Sequence, residues 1–432
     1  MSFVAIGFSG IVGLLVLLAL RVPVALAMVA VGGLGIWAMI GVNPAIGQLA
    51  SFTYSFVDNW TLSSVPAFLL MGYIAYHAGL TSGLFEGAKV LLSRVPGALA
   101  IASMFACGGF ATVCGSSLAT AAAMGKIAIP EMIKTGYRPS FAAGAIAAGG
   151  TIGALIPPSI LMIVYGVFAQ TSVTQVYIGG LSIGLITVFA YSLVVFGAAM
   201  VRPDIVPRRP IEDGLVTLPE ALKGLWPVLI LIAIVFGGMF IGNFTATEAG
   251  GVGALAAILI ALMIGRLDWK ILKTALLETL LTSTSLLMIG VGASIFTRFL
   301  SLSGVTGYIG TSVQGAGLGY YEVMIIIVII YLILGCFMEP FGAMMVTLPI
   351  FMPILQGLDV SLVWFGVLVV KLLEMGMITP PVGMNVFVIR NVAGEYVTTM
   401  QIFRGVIPFF LIDILVIALM IVFPQVVSIF GA

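Results

Sequence analysis

Two proline pairs, Pro157–Pro158 and Pro380–Pro381, interrupt apolar runs, and each stands four residues after a glycine, Gly153 or Gly376. Proline lacks an N–H and its ring clashes with the preceding turn, so neither run continues as a helix through its pair. The residue before a proline is also pushed out of the α region. Backbone oxygens near Ile156–Pro158 and Thr379–Pro381 therefore lose their helical partners. Hydroxyls lie beside them, on Ser159 after the first pair and on Thr379 before the second. Ser159 can cap the helix that follows or touch a ligand.

Two further apolar stretches are broken near their middles, at Cys114–Ser117 and at Met338–Phe341. The first break offers Gly115, Ser116 and Ser117, which are hydroxyls on a flexible backbone. The second offers Glu339. A buried acid pairs, binds a cation or stays protonated. Arg298 is a further ionisable residue in an apolar stretch, and intramembrane charges are costly and functional by default. A guanidinium grips a carboxylate with two parallel hydrogen bonds. Arg298 also lies 25 residues after Lys273, enough helix to let it snorkel to the far interface.

Other polar residues have plainer readings. Glu248 follows Thr247 at the start of a span, where capping and the helix dipole account for it. Lys371 and Glu374 are three apart on one helix and can neutralise each other. His77 is the lone histidine, at a helix end, and no triad or metal set forms around it. Cys107, Cys114 and Cys336 show no CxxC spacing and read as packing residues.

The elements that must carry these residues are membrane helices. The chain has 432 residues, 61% hydrophobic and 8% charged, where a soluble protein carries roughly 25% charge. A net charge of +1 says nothing about nucleic acid, and no basic patch is large enough to suggest such a partner, so none is expected. The first apolar run, Phe3–Leu20, lacks a basic leader and a small-residue cleavage site, so it reads as a retained span. At about 20 residues per span, ten crossings follow: 3–20, 22–40, 65–80, 141–168, 176–200, 225–241, 249–264, 275–296, 362–389 and 405–427. The stretches near 97–133 and 321–355 read as re-entrant hairpins, since broken backbone at membrane depth needs cover from protein or a water-filled cavity. With both termini outside, this topology puts all of the 17 Lys and Arg except Arg298 and Lys371 on the cytoplasmic face.

A proline-rich linker, 202–224, divides the chain. A shift of 223 carries Pro157 onto Pro380, Pro130 onto Pro353 and the first hairpin tip onto the second. Two inverted repeats of five transmembrane helices follow. Residues 1–201 hold a hairpin at 97–135 and a broken helix at 140–170. Residues 225–432 hold a hairpin at 320–357 and a broken helix at 361–390. Paired Gly/Pro-interrupted segments in corresponding halves point to a transporter binding site. No convergent acid pair, nucleophile or metal set supports an enzyme.

The motifs resemble a known family. Gly115–Thr120 reads Gly-Ser-Ser-Leu-Ala-Thr, followed by Lys126–Met132 and Gly136-Tyr137. Gly153–Ser159, Tyr165-Gly166, Thr245–Ala249 and Thr379–Gly383 with Asn385 and Phe387 complete the set. Together they are similar to the large membrane subunit of tripartite ATP-independent periplasmic (TRAP) transporters. The resemblance implies an all-α polytopic fold of the ion-transporter superfamily, working as an elevator in the bacterial inner membrane with both termini periplasmic. It implies Na+-coupled import of a small organic anion, such as a C4-dicarboxylate, sialic acid, sugar acid or keto acid. A periplasmic substrate-binding protein and a small membrane subunit are its implied partners, and Na+ is its coupling ion with no organic cofactor.

On that reading, two pseudo-symmetric sodium sites are expected near the midplane. They use Gly115, Ser117, Gly153 and Pro157 in one half and Glu339, Gly376, Thr379 and Pro380 in the other. Ser116, Ser159 and Arg298 are the expected substrate contacts. Small residues at these positions also permit close helix packing. The alternative function is a self-sufficient Na+- or H+-coupled carboxylate carrier that needs no binding protein.

Overall fold

The computed structural model describes residues 2–208 and 217–430, and among them every regular element is helical. Part of the 202–224 linker, residues 209–216, lies outside the described residues. The first half contains α1 (Phe3–Ala19), α2 (Val24–Ile40), α3 (Val42–Val57), α4 (Ser64–His77), α5 (Ser82–Leu92), α6 (Ala98–Cys114), α7 (Ser117–Lys134), α8 (Pro139–Thr151), α9 (Ile160–Phe168) and α10 (Val173–Val201). The second contains α11 (Leu218–Ile232), α12 (Gly238–Phe240), α13 (Ala246–Met263), α14 (Trp269–Ser303), α15 (Val305–Gly315), α16 (Tyr320–Phe337), α17 (Pro340–Gln356), α18 (Leu362–Gly376), α19 (Met384–Ala393) and α20 (Thr399–Val422).

Among the described residues, six helices are long and apolar enough to cross a membrane: α10, α11 with its continuation to Gly237, α13, α14, α16 and α20. Local chemistry sets many of their ends. Ser172, Asp268 and Ser361 each accept a backbone N–H three residues on, at the starts of α10, α14 and α18. Thr245 and Glu248 form a reciprocal capping box at α13, and Thr398 with Gln401 does the same at α20.

Three helices fall outside all the spans drawn from hydropathy: α3, α5 and α15. Their sequences explain the omission. Helix α3 carries Asn43, Gln48 and the hydroxyls of Ser51, Thr53, Tyr54 and Ser55 in sixteen residues, while α5 and α15 are only 11 residues long. None offers the length of uniformly apolar sequence that a span requires. Helix α14 runs 35 residues, well past both ends of the 275–296 span.

The two proline-broken segments occupy the middle of the molecule. Every residue of α8 from Phe141 to Thr151 is buried, as is every residue of α18 from Trp364 to Gly376. A helix buried all round is normally apolar all round; α8 meets this from Phe141 to Gly150, whereas α18 buries two ionisable exceptions, Lys371 and Glu374. Around them pack α6, α7, α10, α16, α19 and α20, while α2, α3, α4, α13 and α14 pack on one another to one side. Close approach depends on missing side chains at one point especially. A Cβ on Gly376 would come within 2.6 Å of the Gly335 Cα, so α16 and α18 cross backbone to backbone.

Candidate functional site

The first break begins where α8 ends at Thr151. Ile152–Ala154 tighten into a short 3-10 turn, the Pro157–Pro158 bond is cis, and Ser159 restarts the helix by accepting the Met162 N–H at 3.4 Å. The first hairpin tip sits directly on it. Gly115 closes α6 at φ +60°, and a Cβ there would strike the Pro158 carbonyl oxygen. Only glycine meets both demands easily. Ser116 then caps α7 through the Ala119 N–H at 3.5 Å. Its carbonyl accepts the Thr120 hydroxyl at 2.8 Å and lies against Gly153.

The second break follows α18. The Thr379 hydroxyl donates back to the Met375 carbonyl at 2.7 Å, and the Pro380–Pro381 bond is cis. Gly383 turns the chain at φ +60°, and the Asn385 N–H donates to the Met377 carbonyl at 3.1 Å. At the second tip, Met338 is extended and Glu339 caps α17 by accepting the Gly342 N–H at 3.1 Å.

The halves do not stay separate. The Ser117 hydroxyl, from the first tip, donates to Glu374 Oε1 on the second broken helix at 2.8 Å. Glu374 is fully buried, and its Oε2 has no hydrogen-bond partner among the described residues. Both tips open onto one cavity of about 330 Å³. Gly115, Ser116 and Ser117 line it from one tip and Glu339 from the other, with Glu374 between. Leu69 and Tyr73 of α4 and Thr282 and Leu286 of α14 close the opposite wall. The Tyr73 and Thr282 hydroxyls are joined at 2.9 Å, and one turn further His77 meets Glu278 at 2.8 Å. The lining contains two acidic side chains and no basic one.

The other expected site residues lie elsewhere. Gly153, Pro157 and Ser159 are buried and do not line this cavity. Gly376 is buried against Gly335, Thr379 is half-buried and Pro380 is exposed. The structure does not bring Arg298 to the cavity. It lies 12 residues beyond Leu286, about 18 Å further along α14 and about 120° around it. There its Nε donates to Gln48 Oε1 at 3.1 Å and its guanidinium sits over the Phe52 ring.

Lys371 and Glu374 do not neutralise each other, which corrects the sequence reading. Lys371 Nζ instead pairs with Asp413 Oδ1 of α20 at 2.5 Å, and both residues are fully buried. The Tyr191 hydroxyl of α10 donates to Asp413 Oδ2 at 2.7 Å and meets the Thr151 hydroxyl at 3.2 Å. A polar chain thus runs from α18 through α20 and α10 to the last residue of α8. Asp413 was legible as the one acid inside the final apolar run, and Glu374 as the acid that the 223-residue shift sets opposite Thr151. Spacing along one helix favoured the wrong partner for Lys371, because the correct one comes from another helix.

The arrangement suits oxygen ligation of a hard cation. An unpartnered carboxylate oxygen, tip hydroxyls and break carbonyls are all oxygen donors, and the wall adds no competing positive charge.

Comparison with known proteins places this geometry in a family. Residues 11–426 match the family described as the tripartite ATP-independent periplasmic transporter, DctM component. The chain is 35% identical over 353 residues to the C4-dicarboxylate TRAP transporter large permease protein DctM of Pseudomonas aeruginosa, covering 81% of this chain and 82% of that one. It is 30% identical over 428 residues to the sialic acid TRAP transporter large permease protein SiaM of Vibrio cholerae, covering 96% of each. Among solved structures, the YdaH transporter of Alcanivorax borkumensis superposes with a TM-score of 0.64 at 15% identity over 90% of each chain, a likeness of fold. A family match over nearly the whole length, on an all-helical chain with two broken helices meeting at one cavity, is decisive: the chain belongs to the DctM family of TRAP transporter large permeases, multi-pass proteins of the bacterial inner membrane.

Proposed function

We propose that this permease imports a small organic anion, of the C4-dicarboxylate or sialic acid class, by coupling it to inward movement of Na+. The observation that carries the reading is the charge of the cavity between the tips. Glu339 and Glu374 face it and no basic side chain does. An anion entering such a space meets like charge until cations neutralise it. Sodium bound first removes that repulsion, and the anion then helps hold the sodium. In their ionised form the two carboxylates would couple anion to cation through this shared electrostatics.

In this scheme Gly115, Ser117, Gly153 and Pro157 donate oxygens on one side. Glu339, Gly376, Thr379 and Pro380 do so on the other, and Glu374 joins them. Ser116 and Ser159 are the proposed anion contacts, since each starts a helix and positive dipole ends favour anions. Arg298 stays a proposed carboxylate ligand subject to one comparison. Arg298→Ala should abolish uptake in folded protein while Gln48→Ala does not; equal losses would assign Arg298 to holding α3 against α14.

The proposed mechanism is an elevator built from two inverted repeats, in which tips and broken helices move as a unit past α4 and α14. The proposed partners are a small membrane subunit and a periplasmic binding protein that delivers the anion. Uptake into liposomes tests the whole reading. It should require an inward Na+ gradient, the small subunit and the loaded binding protein together. Undiminished uptake of free anion without the binding protein would establish the self-sufficient carrier instead, and uptake driven equally by a proton gradient would remove sodium.

A further inference from the structure

A second cavity, about 620 Å³, shares no lining residue with the one between the tips and has a different chemistry. It opens where α10 ends and where α8 and α20 begin. One wall is Val194, Gly197, Ala198 and Val201 of α10; the facing wall is Gln401, Arg404, Gly405 and Pro408 of α20. Each set has the spacing of a single helix face. Two parallel faces make a groove about 10 Å long. Its polarity is graded. Arg138, Arg202, Gln401 and Arg404 stand at the helix ends, while Val194 and Pro408 stand one to two turns deeper, inside the apolar spans.

The three arginines are exposed, and no ion pair among the described residues engages any of them. Nor are they needed to finish the helices. Arg208 donates to the Ala199 carbonyl at 2.9 Å and to that of Met200, so the end of α10 is satisfied without Arg202. Asp204, in the same loop, does not line the groove. The loop is itself held in place, with the Arg138 N–H donating to the Ile205 carbonyl at 3.0 Å.

We infer that this groove seats one anionic phospholipid, with its phosphate on Arg138, Arg202 and Arg404 and an acyl chain along Val194, Gly197 and Val201. The site lies at the end of membrane-crossing helices, where head groups lie, and basic pockets between such helices suit anionic head groups. The apolar groove below the arginines distinguishes a lipid from a free phosphate, which would leave it unfilled. Gly197 provides the room: a Cβ there would have nothing within 4 Å. The lipid would rest against the first turn of α8, the arm that leads to the first break. There α8 and α20 touch so closely that a Cβ on Gly405 would collide with the Ser140 carbonyl.

The test uses full-length protein stripped of lipid in a neutral detergent. Phosphatidylglycerol should raise its unfolding midpoint by several degrees and be retained as a single bound lipid in native mass spectrometry, while phosphatidylcholine does neither. Arg138→Gln/Arg202→Gln/Arg404→Gln should raise the half-saturating phosphatidylglycerol concentration about 100-fold. Gly197→Leu fills the groove and leaves every arginine in place, so it should lose the lipid too; it decides the matter if the triple variant folds poorly. Lys270→Gln/Lys273→Gln, at exposed positions elsewhere, should change nothing. Three results would overturn the site: equal stabilisation by phosphatidylcholine, equal loss in the lysine variant, or a full effect from glycerol phosphate that survives Gly197→Leu.

Discussion

The two breaks occupy the same register, 223 residues apart, yet differ in burial and in charge. From Ile152 to Ser159 every residue of the first is buried, whereas Pro380 and Pro381 of the second are exposed. The shift sets Ser116 opposite Glu339 and Thr151 opposite Glu374. In both cases the first half has a hydroxyl where the second has a carboxylate. The lesson is a division of labour. The first break is packed and carries no acidic side chain, and the second brings the carboxyl groups and the exposed proline edge. Ser117 links them by donating to Glu374.

Four substitutions, two of them set against controls at Thr151 and one against a control at Met338, break or sharpen that contrast. The largest effect belongs to Asp413→Ala, which leaves the Lys371 ammonium buried without its partner. Removing one member of a buried pair costs about 3–5 kcal/mol, so thermal unfolding in detergent should show a large drop. Thr151→Val, at the other end of the same polar chain, should cost about 1 kcal/mol. Equal losses would mean that charge does not separate the two sides. Next, Glu374→Gln should lower sodium-driven uptake about 100-fold, the scale of a lost hydrogen bond to a charged group. Its counterpart Thr151→Val should keep most of the uptake; the reverse ranking would overturn the division.

Gly115→Ala comes third, expected to cost about 2 kcal/mol because the residue is left-handed and its Cβ meets the Pro158 carbonyl. Met338→Ala, in extended backbone at the matching tip position, should be tolerated, and an unfolding series over both variants checks this. The smallest effect is that of Ser116→Ala. Loss of the cap costs about 1 kcal/mol, and the sodium concentration for half-maximal uptake should rise a few-fold. An unchanged sodium dependence would separate Ser116 from cation binding and leave Gly115 and Ser117 as the first tip's candidates.

Much of the architecture was legible because proline acts locally. Pro157–Pro158 and Pro380–Pro381 announce helix breaks whatever surrounds them, and Gly115 with Ser116 announces an end and a start. Helices α3, α5 and α15 were missed for the opposite reason. Their stability comes from neighbours, and their sequences carry too few apolar residues to declare it. The site was legible in its tips and only partly in its partners. Ser117–Glu374 spans 257 residues and Lys371–Asp413 spans 42, and no periodicity encodes which distant helix will supply a counter-charge. Arg298 drew attention for being charged in an apolar run, but its direction around α14 was set by a partner, Gln48, on a helix the hydropathy reading had omitted.

The Lys371–Asp413 pair also bears on how the chain is made. Synthesis delivers α18 to the membrane before α20 exists, so Lys371 arrives some forty residues ahead of the acid that neutralises it. A lysine at mid-membrane costs about 2.5–3.5 kcal/mol during insertion. Until α20 joins, α18 is a poor membrane segment despite its apolar length. The Lys371–Asp413 pair thus ties the second broken helix to α20, so that the burial of each charge depends on the other helix being in place.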